Sequence, residues 1–485
     1  MSNSPSKFKF LVIIAGILLS GLLYYYGNGL NGDYWYLVWL APLPVLFLSL
    51  KTSGRATFII SFFAYIIGRL SWFSYLVDVA TIVPAVIFTI LLSLIFALII
   101  FITRQSVSKI NSWYVVFAFP VFFTTFEYLL IKLSPDGTAG SIAYSQINFL
   151  PLIQIASITG ILGITFFITL IPSVIVSGWH FRKEKKKLFY AVACPFFLIA
   201  SILLFGVLRL KKNITGNRIK VGLVVFDEKK HNNSNEPNPG KDKLVTDFYL
   251  SQVPQFAMKG AQVVVFPERA LSIDSLSGAH LLDTLRAVAR QYKIYIITGY
   301  TNLAHAVKHN SALVINAEGD IVANYNKAYL VKGQEDQFKP GKNIGLFKLN
   351  DIQAGVAICK DMDFRDYIKQ YGTEKASILF VPAWDFIVDD WLHSRMSVLR
   401  GVENGFSEVR AARQGELTIS DFCGRVTYES SSSNLLAASL TGSVSNQRIN
   451  TIYTRMGNWF GIVNLLVAFI FVIILYKKRG RLIKV

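Results

Sequence analysis

The sequence predicts an α-helical membrane bundle of eight transmembrane helices joined to one layered α/β domain, and three observations carry that prediction. Mean hydropathy is +0.43, with 53% hydrophobic and 16% charged residues over 485 positions. That is too apolar for an ordinary soluble chain and too interrupted for a purely membrane one. Apolar runs of about 20 residues, the length a helix needs to cross a bilayer, crowd the start of the chain and recur once near its end. Between them, from Arg218, the pattern changes to short β-rich runs alternating with amphipathic stretches.

Seven apolar runs fall in the first 210 residues, at roughly 8–26, 34–50, 56–77, 80–102, 113–132, 152–178 and 189–208, and an eighth runs from Phe460 to Tyr476. The first follows Lys7 and Lys9 and ends in Tyr24, Tyr25 and Tyr26 with no small-residue cleavage site, so it reads as a retained helix. Basic residues fall on alternate loops: Lys51 and Arg55, Arg104 and Lys109, Arg182 to Lys187, and Lys477 to Lys484. Lysine and arginine are held on the cytoplasmic side, which predicts both termini in the cytoplasm and the long segment between the seventh and eighth spans outside it. In a bacterial inner membrane that side is the periplasm. The predicted divisions are residues 1–210, 211–457 and 458–485.

The net charge of +19 does not indicate a nucleic-acid partner, because the basic residues border the apolar runs. Cys194, Cys359 and Cys423 lack the short spacings of zinc sites or disulfide frameworks, so neither a metal nor a cofactor is indicated. Arg69, Asp78 and Glu127 stand in or beside apolar runs. Such residues are functional or paired, or else snorkel from helix ends; the expectation here is snorkelling near the outer ends.

In the outer domain, strands are expected at Ile219–Phe226, Gln262–Phe266, Ile294–Gly299, Ala312–Asn316, Ile321–Lys327, Ile352–Cys359 and Ile378–Val381. Helices are expected at Lys241–Met258, His280–Tyr292, Arg365–Tyr371 and Trp391–Asn404, with a flexible surface loop from Lys229 to Asp242. Three residues close strands: Glu268 after Val263–Pro267, Lys327 after Tyr325–Asn326, and Cys359 after Val356–Ile358. Catalytic groups gather at strand ends. A carboxylate, an ammonium and a thiol together supply a base, an oxyanion partner and a nucleophile. Singly, each has a plainer reading as a turn, surface or core residue.

The order Phe266-Pro267-Glu268, Tyr325-Asn326-Lys327, Ile358-Cys359, Val381-Pro382-Ala383-Trp384 resembles the nitrilase (carbon-nitrogen hydrolase) superfamily, whose fold is an αββα sandwich. The membrane topology, with Ala143–Gln146, Gly160–Gly163, Trp72, Asn310–Ala312, Leu399–Gly405 and Val409–Ala411, resembles the apolipoprotein N-acyltransferase family within it. The resemblance implies Glu268 as general base, Lys327 as oxyanion cation and Cys359 as nucleophile. Glu335 falls at the place of a supporting glutamate, or is an exposed loop charge. Asn310, Lys360, Asp361, Trp384 and Phe386 are the implied substrate contacts; for the aromatics, with Trp391, ordinary core packing is the alternative. The chain departs from the family pattern at Lys360-Asp361, at Pro382-Ala383 and at Arg413-Gln414.

The activity so implied is transfer of a fatty acyl chain from a phospholipid, through a thioester on Cys359, to the N-terminal amine of a diacylated lipoprotein. An amidase or acyltransferase with another amine acceptor is one alternative. A non-catalytic lipoprotein-binding scaffold is another.

Overall fold

The computed structural model describes residues 4–227, 239–273, 278–303 and 307–481. The chain divides into two compact units, one of residues up to Leu210 together with those from Asn458, the other Lys211–Gly457.

Among the described residues of the first unit, seven helical segments are long and apolar enough to cross a membrane: Lys9–Gly27, Gly54–Ala80, Ile82–Lys109, Trp113–Leu133, Ile161–His180, Lys185–Leu210 and Trp459–Lys478. The run expected at 34–50 is shorter than a full span. It forms a 3₁₀ turn, Trp35–Trp39, and a helix, Leu43–Ser49, because Pro42 and Pro44 remove backbone donors from its middle. It nonetheless runs antiparallel to the first helix, with Val38 against Gly27, Ser20 donating to the Ala41 carbonyl, and Leu48 against Gly16. The Trp35 carbonyl accepts from Gln146 and the Ser49 carbonyl from Arg104, so both ends of the segment are tied to the bundle. The 152–178 run is also broken. Gly160, at φ 67°, separates two short helical turns from Ile161–His180.

Snorkelling does not describe Glu127 or Arg69. Glu127 is 4% exposed, and its carboxylate accepts from the Ile142 amide at 2.8 Å, the Ser141 hydroxyl at 3.1 Å and the Thr165 hydroxyl. A carboxylate in apolar surroundings persists where such donors replace water. Arg69 is buried with its guanidinium 5.1 Å from the Trp72 ring. Asp78 is exposed.

The second unit is a sandwich. One sheet runs β13-β1-β2-β4-β5-β6, with β3 beside β4; the other runs β12-β11-β10-β9-β8-β7. In the first, β1 is Arg218–Phe226, β2 Val263–Val265, β3 Leu271–Ile273, β4 Tyr295–Asn302, β5 His309–Ile315, β6 Ile321–Asn326 and β13 Ala437–Ser445. In the second, β7 is Gly345–Leu349, β8 Ile352–Val356, β9 Ile378–Trp384, β10 Ser407–Arg413, β11 Glu416–Ser420 and β12 Val426–Ser431. Residues alternate faces along a strand. Val221, Leu223, Val263, Val265, Ile297 and Val314 therefore meet Val356, Phe380, Val409 and Ile419 between the sheets. Their neighbours Val224, Val264, Ile296 and Leu313 pack outward on residues of the Pro239–Met258 and Gly278–Tyr292 helices. Strands covered on both faces read as unbroken apolar runs, which is why these were legible.

The expected surface loop at 229–242 lies largely outside the described residues, and Pro239 already begins a helix. The strand expected to end at Cys359 ends at Val356, since the Asp361 side chain accepts from the Ile358 amide and turns the chain into a 3₁₀ segment, Cys359–Asp363.

Replacing Glu127 by leucine strands the Ile142 amide and two hydroxyls. We expect about 2–4 kcal/mol of lost stability, read as a lowered unfolding midpoint in detergent, with Glu127→Gln recovering at least half. A leucine variant as stable as wild type would show that the carboxylate does not hold this turn.

Candidate active site

Three of the expected residues stand at the same end of the two sheets. Glu268 follows β2, Lys327 follows β6, and Cys359 follows β8, beside parallel β9 and β10. Lys327 is the centre. Its ammonium donates to Glu268 at 2.6 Å and to Glu335 at 2.8 Å, with all three side chains buried. Glu335 is thus brought into the cluster, where it also accepts from the Val331 amide at 2.8 Å. Asn310, at the start of β5, donates to Glu268 at 2.6 Å and to Glu335. It braces the two carboxylates through its side-chain NH2, while its buried Oδ1 has no hydrogen-bond partner among the described residues.

Burial alone would lower the Lys327 ammonium, but Glu268, Cys359 and Glu335 outweigh it and raise it above its usual range. Burial works against the Glu335 carboxylate, yet Lys327, the Val331 amide and Asn310 hold it below its ordinary value. The Cys359 thiol is pushed well up by burial and then by Glu268, with Lys327 pulling the other way. Burial and the Glu268 charge both favour the protonated thiol at Cys359. Its Sγ donates to the Trp384 carbonyl at 3.5 Å, and its backbone is left-handed, φ 42°. That conformation costs a residue with a Cβ roughly 1–2 kcal/mol and persists where the surroundings impose it.

Asp361 is turned into the protein. It is fully buried and accepts from Tyr325 at 2.6 Å and from the amides of Ile358, Ala328 and Tyr329 at 2.9, 3.1 and 2.9 Å. It ties the segment after Lys327 to the turn bearing Cys359. Lys360, Phe386 and Trp384 are half-buried. The Trp384 ring lies 3.5 Å from the Arg413 guanidinium and 5.4 Å from that of Arg269.

Behind Trp384 is a buried ionic group that the sequence did not reveal. Arg410, on β10, donates to both oxygens of Asp385 at 2.7 and 2.6 Å, and His393 lies 2.9 Å from Asp389. The one signal was charge inside a strand flanked by buried ones, since a buried guanidinium must be paired. Which carboxylate pairs with it is a matter of tertiary structure.

Comparison with known proteins follows the same two-part division. The carbon-nitrogen hydrolase family pattern matches residues 219–435, and that of the apolipoprotein N-acyltransferase N-terminal domain matches residues 20–174. The chain is 23% identical to an apolipoprotein N-acyltransferase of Geobacter metallireducens over 94% of this chain and 93% of that one. It is 23% identical to one of Aquifex aeolicus over 80% and 89%. A 2-oxoglutaramate amidase of Bacillus subtilis is 26% identical over 34% of this chain and 67% of its own. Among solved structures, an amidase from Nesterenkonia sp. is 17% identical with a TM-score of 0.43, over 52% of this chain and 98% of that one.

Burial alone would lower the His393 imidazolium, but Asp389, with Asp363 and Asp385, lifts it from 6.5 to about 9. A raised histidine contributes stability that is complete below pH 6.5 and lost as pH rises through 9. The unfolding midpoint should therefore fall over that interval, by at most about 3 kcal/mol of stability, and His393→Gln should flatten the fall. A wild-type profile as flat as the variant's would remove this pairing.

Proposed function

We propose that this chain, which belongs to the apolipoprotein N-acyltransferase family of the carbon-nitrogen hydrolases, carries a fatty acyl group on Cys359 from a phospholipid to an N-terminal amine. The observation that carries the reading is the buried Lys327 ammonium between Glu268 and Glu335, in a site shared with the Cys359 thiol, on a chain whose described residues include seven long apolar helices.

In the first half-reaction Glu268 takes the Cys359 proton and the sulfur attacks an ester carbonyl of the lipid. Charge gathers on the carbonyl oxygen, where Lys327 and the Lys360 backbone N–H stabilise it, an effect worth roughly 3–4 kcal/mol per donor in related chemistry. The carbon–oxygen bond breaks, Glu268 returns its proton to the departing lysophospholipid alkoxide, and a thioester remains. In the second, the α-amine of a diacylglyceryl-cysteine attacks the thioester and passes a proton to Glu268. The carbon–sulfur bond breaks, and the proton returns to the thiolate. Glu335 and Asn310 act as positioning residues that hold Lys327 and Glu268 in register.

The setting follows from the basic loops. We place the protein in a bacterial inner membrane with both termini cytoplasmic and residues 211–457 periplasmic. The antiparallel return of Trp35–Ser49 supports the even number of crossings this needs. A cysteine introduced at Lys332 should react in intact cells with a maleimide that crosses only the outer membrane, whereas one at Lys186 should not; the reverse pattern would invert the topology.

The central test is mass measurement after incubation with phospholipid. Wild type should gain the mass of an acyl chain, Cys359→Ala should gain none, and Glu268→Gln should slow the gain by about 100-fold or more. Added diacylated lipopeptide should then discharge the adduct as a triacylated product. Discharge only to soluble amines would favour a different acceptor, and an unmodified wild-type chain would favour a binding scaffold.

A further inference from the structure

Arg269 follows the proposed base directly, and the reaction above gives it no task. Its backbone is left-handed, φ 52°, so the chain turns sharply after Glu268. Its guanidinium lies 5.4 Å from the Trp384 ring and 5.3 Å from the ring of buried Phe338. Its Nε donates to the Thr301 hydroxyl at 3.4 Å. Among the described residues, no carboxylate or carbonyl takes a hydrogen bond from its terminal amino groups. The nearby carboxylates are engaged elsewhere: Glu268 and Glu335 with Lys327 and Asn310, and Asp385 with Arg410.

A half-buried guanidinium, fixed by two rings and a strained turn with its terminal donors left over, is built to receive an anion. Arginine is always charged, and its planar donors match phosphate geometry. Trp384 links this cation to the nucleophile, because its ring meets Arg269 while its carbonyl accepts from the Cys359 sulfur.

We infer that Arg269 binds the phosphodiester of the acyl donor, so that the donor is read as a glycerophospholipid through its phosphate and not as any fatty ester. The inference rests on the acyl-transfer reading. An ester carbonyl at Cys359 and a phosphate on the same glycerol are close enough to share one mouth. A carboxylate on the acceptor is the competing occupant, and it predicts a defect in the second half-reaction only.

The experiment compares Cys359 acylation in the full-length protein by phosphatidylglycerol and by diacylglycerol with the same chains. Arg269→Gln should slow acylation by phosphatidylglycerol roughly tenfold or more while changing the diacylglycerol rate less than about twofold, with Arg269→Lys between wild type and Arg269→Gln. Equal losses on both donors, no loss on either, or a loss confined to the lipopeptide step would overturn the assignment. Binding separates this site from the reaction. Cys359→Ala protein should bind lysophosphatidylglycerol more tightly than monoacylglycerol, and adding Arg269→Gln should erase that preference. A wild type that never gains acyl mass while the preference holds sinks the reaction and leaves the phosphate site standing. Absence of the preference sinks the site whatever the reaction does.

Discussion

The interaction on which the domain's chemistry depends is a lysine ammonium withdrawn from water between two glutamates. An ion moved into a protein interior costs several kcal/mol unless partners replace its hydration. Lys327 therefore requires Glu268, Glu335 and the Asn310 amide in place at once. Those groups come from the end of β2, the segment after Lys327 and the start of β5, so one charge fixes the register of three pieces of chain. Asp361 does the same on the other side, holding the segment after Lys327 against the turn that bears Cys359. Removing either partner would leave the other buried and unmatched, a larger penalty than the pair itself is worth.

The same arrangement decides the protonation of Cys359. Burial and the neighbouring Glu268 charge favour the thiol, and the Lys327 ammonium does not reverse them. A thiol attacks carbonyls and oxidants poorly, whereas a thiolate attacks both. Keeping the proton on sulfur protects the cysteine from oxidants. The left-handed backbone at Cys359 belongs to the same economy of placement, since the turn frees the sulfur from the strand and sets it against the Trp384 carbonyl.

Legibility in the sequence followed burial. Strands covered on both faces, such as Val263–Val265 and Ile378–Val381, showed themselves as apolar runs, and the residues that follow them pointed to the site. Strands β12 and β13 are rich in serine, threonine and alanine and are partly exposed, so nothing in their composition separated them from loop. In β10, Glu408, Arg410 and Arg413 look like surface residues, and only tertiary pairing explains their burial. In the bundle, prolines and Gly160 broke runs that hydropathy alone reads as continuous. Glu127 misled because sequence distance hides that the Ser141–Ile142 turn folds back onto it. Asp361 stood among the substrate contacts that the resemblance implied, while its hydrogen bonds reach Tyr325 and backbone amides.

The sandwich is continuous with apolar helices at both of its chain ends, at Leu210 and at Asn458. A catalyst held in this way samples the lipids of its own membrane and no others. Its rate on a lipid substrate should depend on the surface fraction of that lipid and be indifferent to dilution of the suspension, because tethering fixes the local concentration. A cell would then tune such a reaction through the make-up of its bilayer more readily than through the number of copies of the protein.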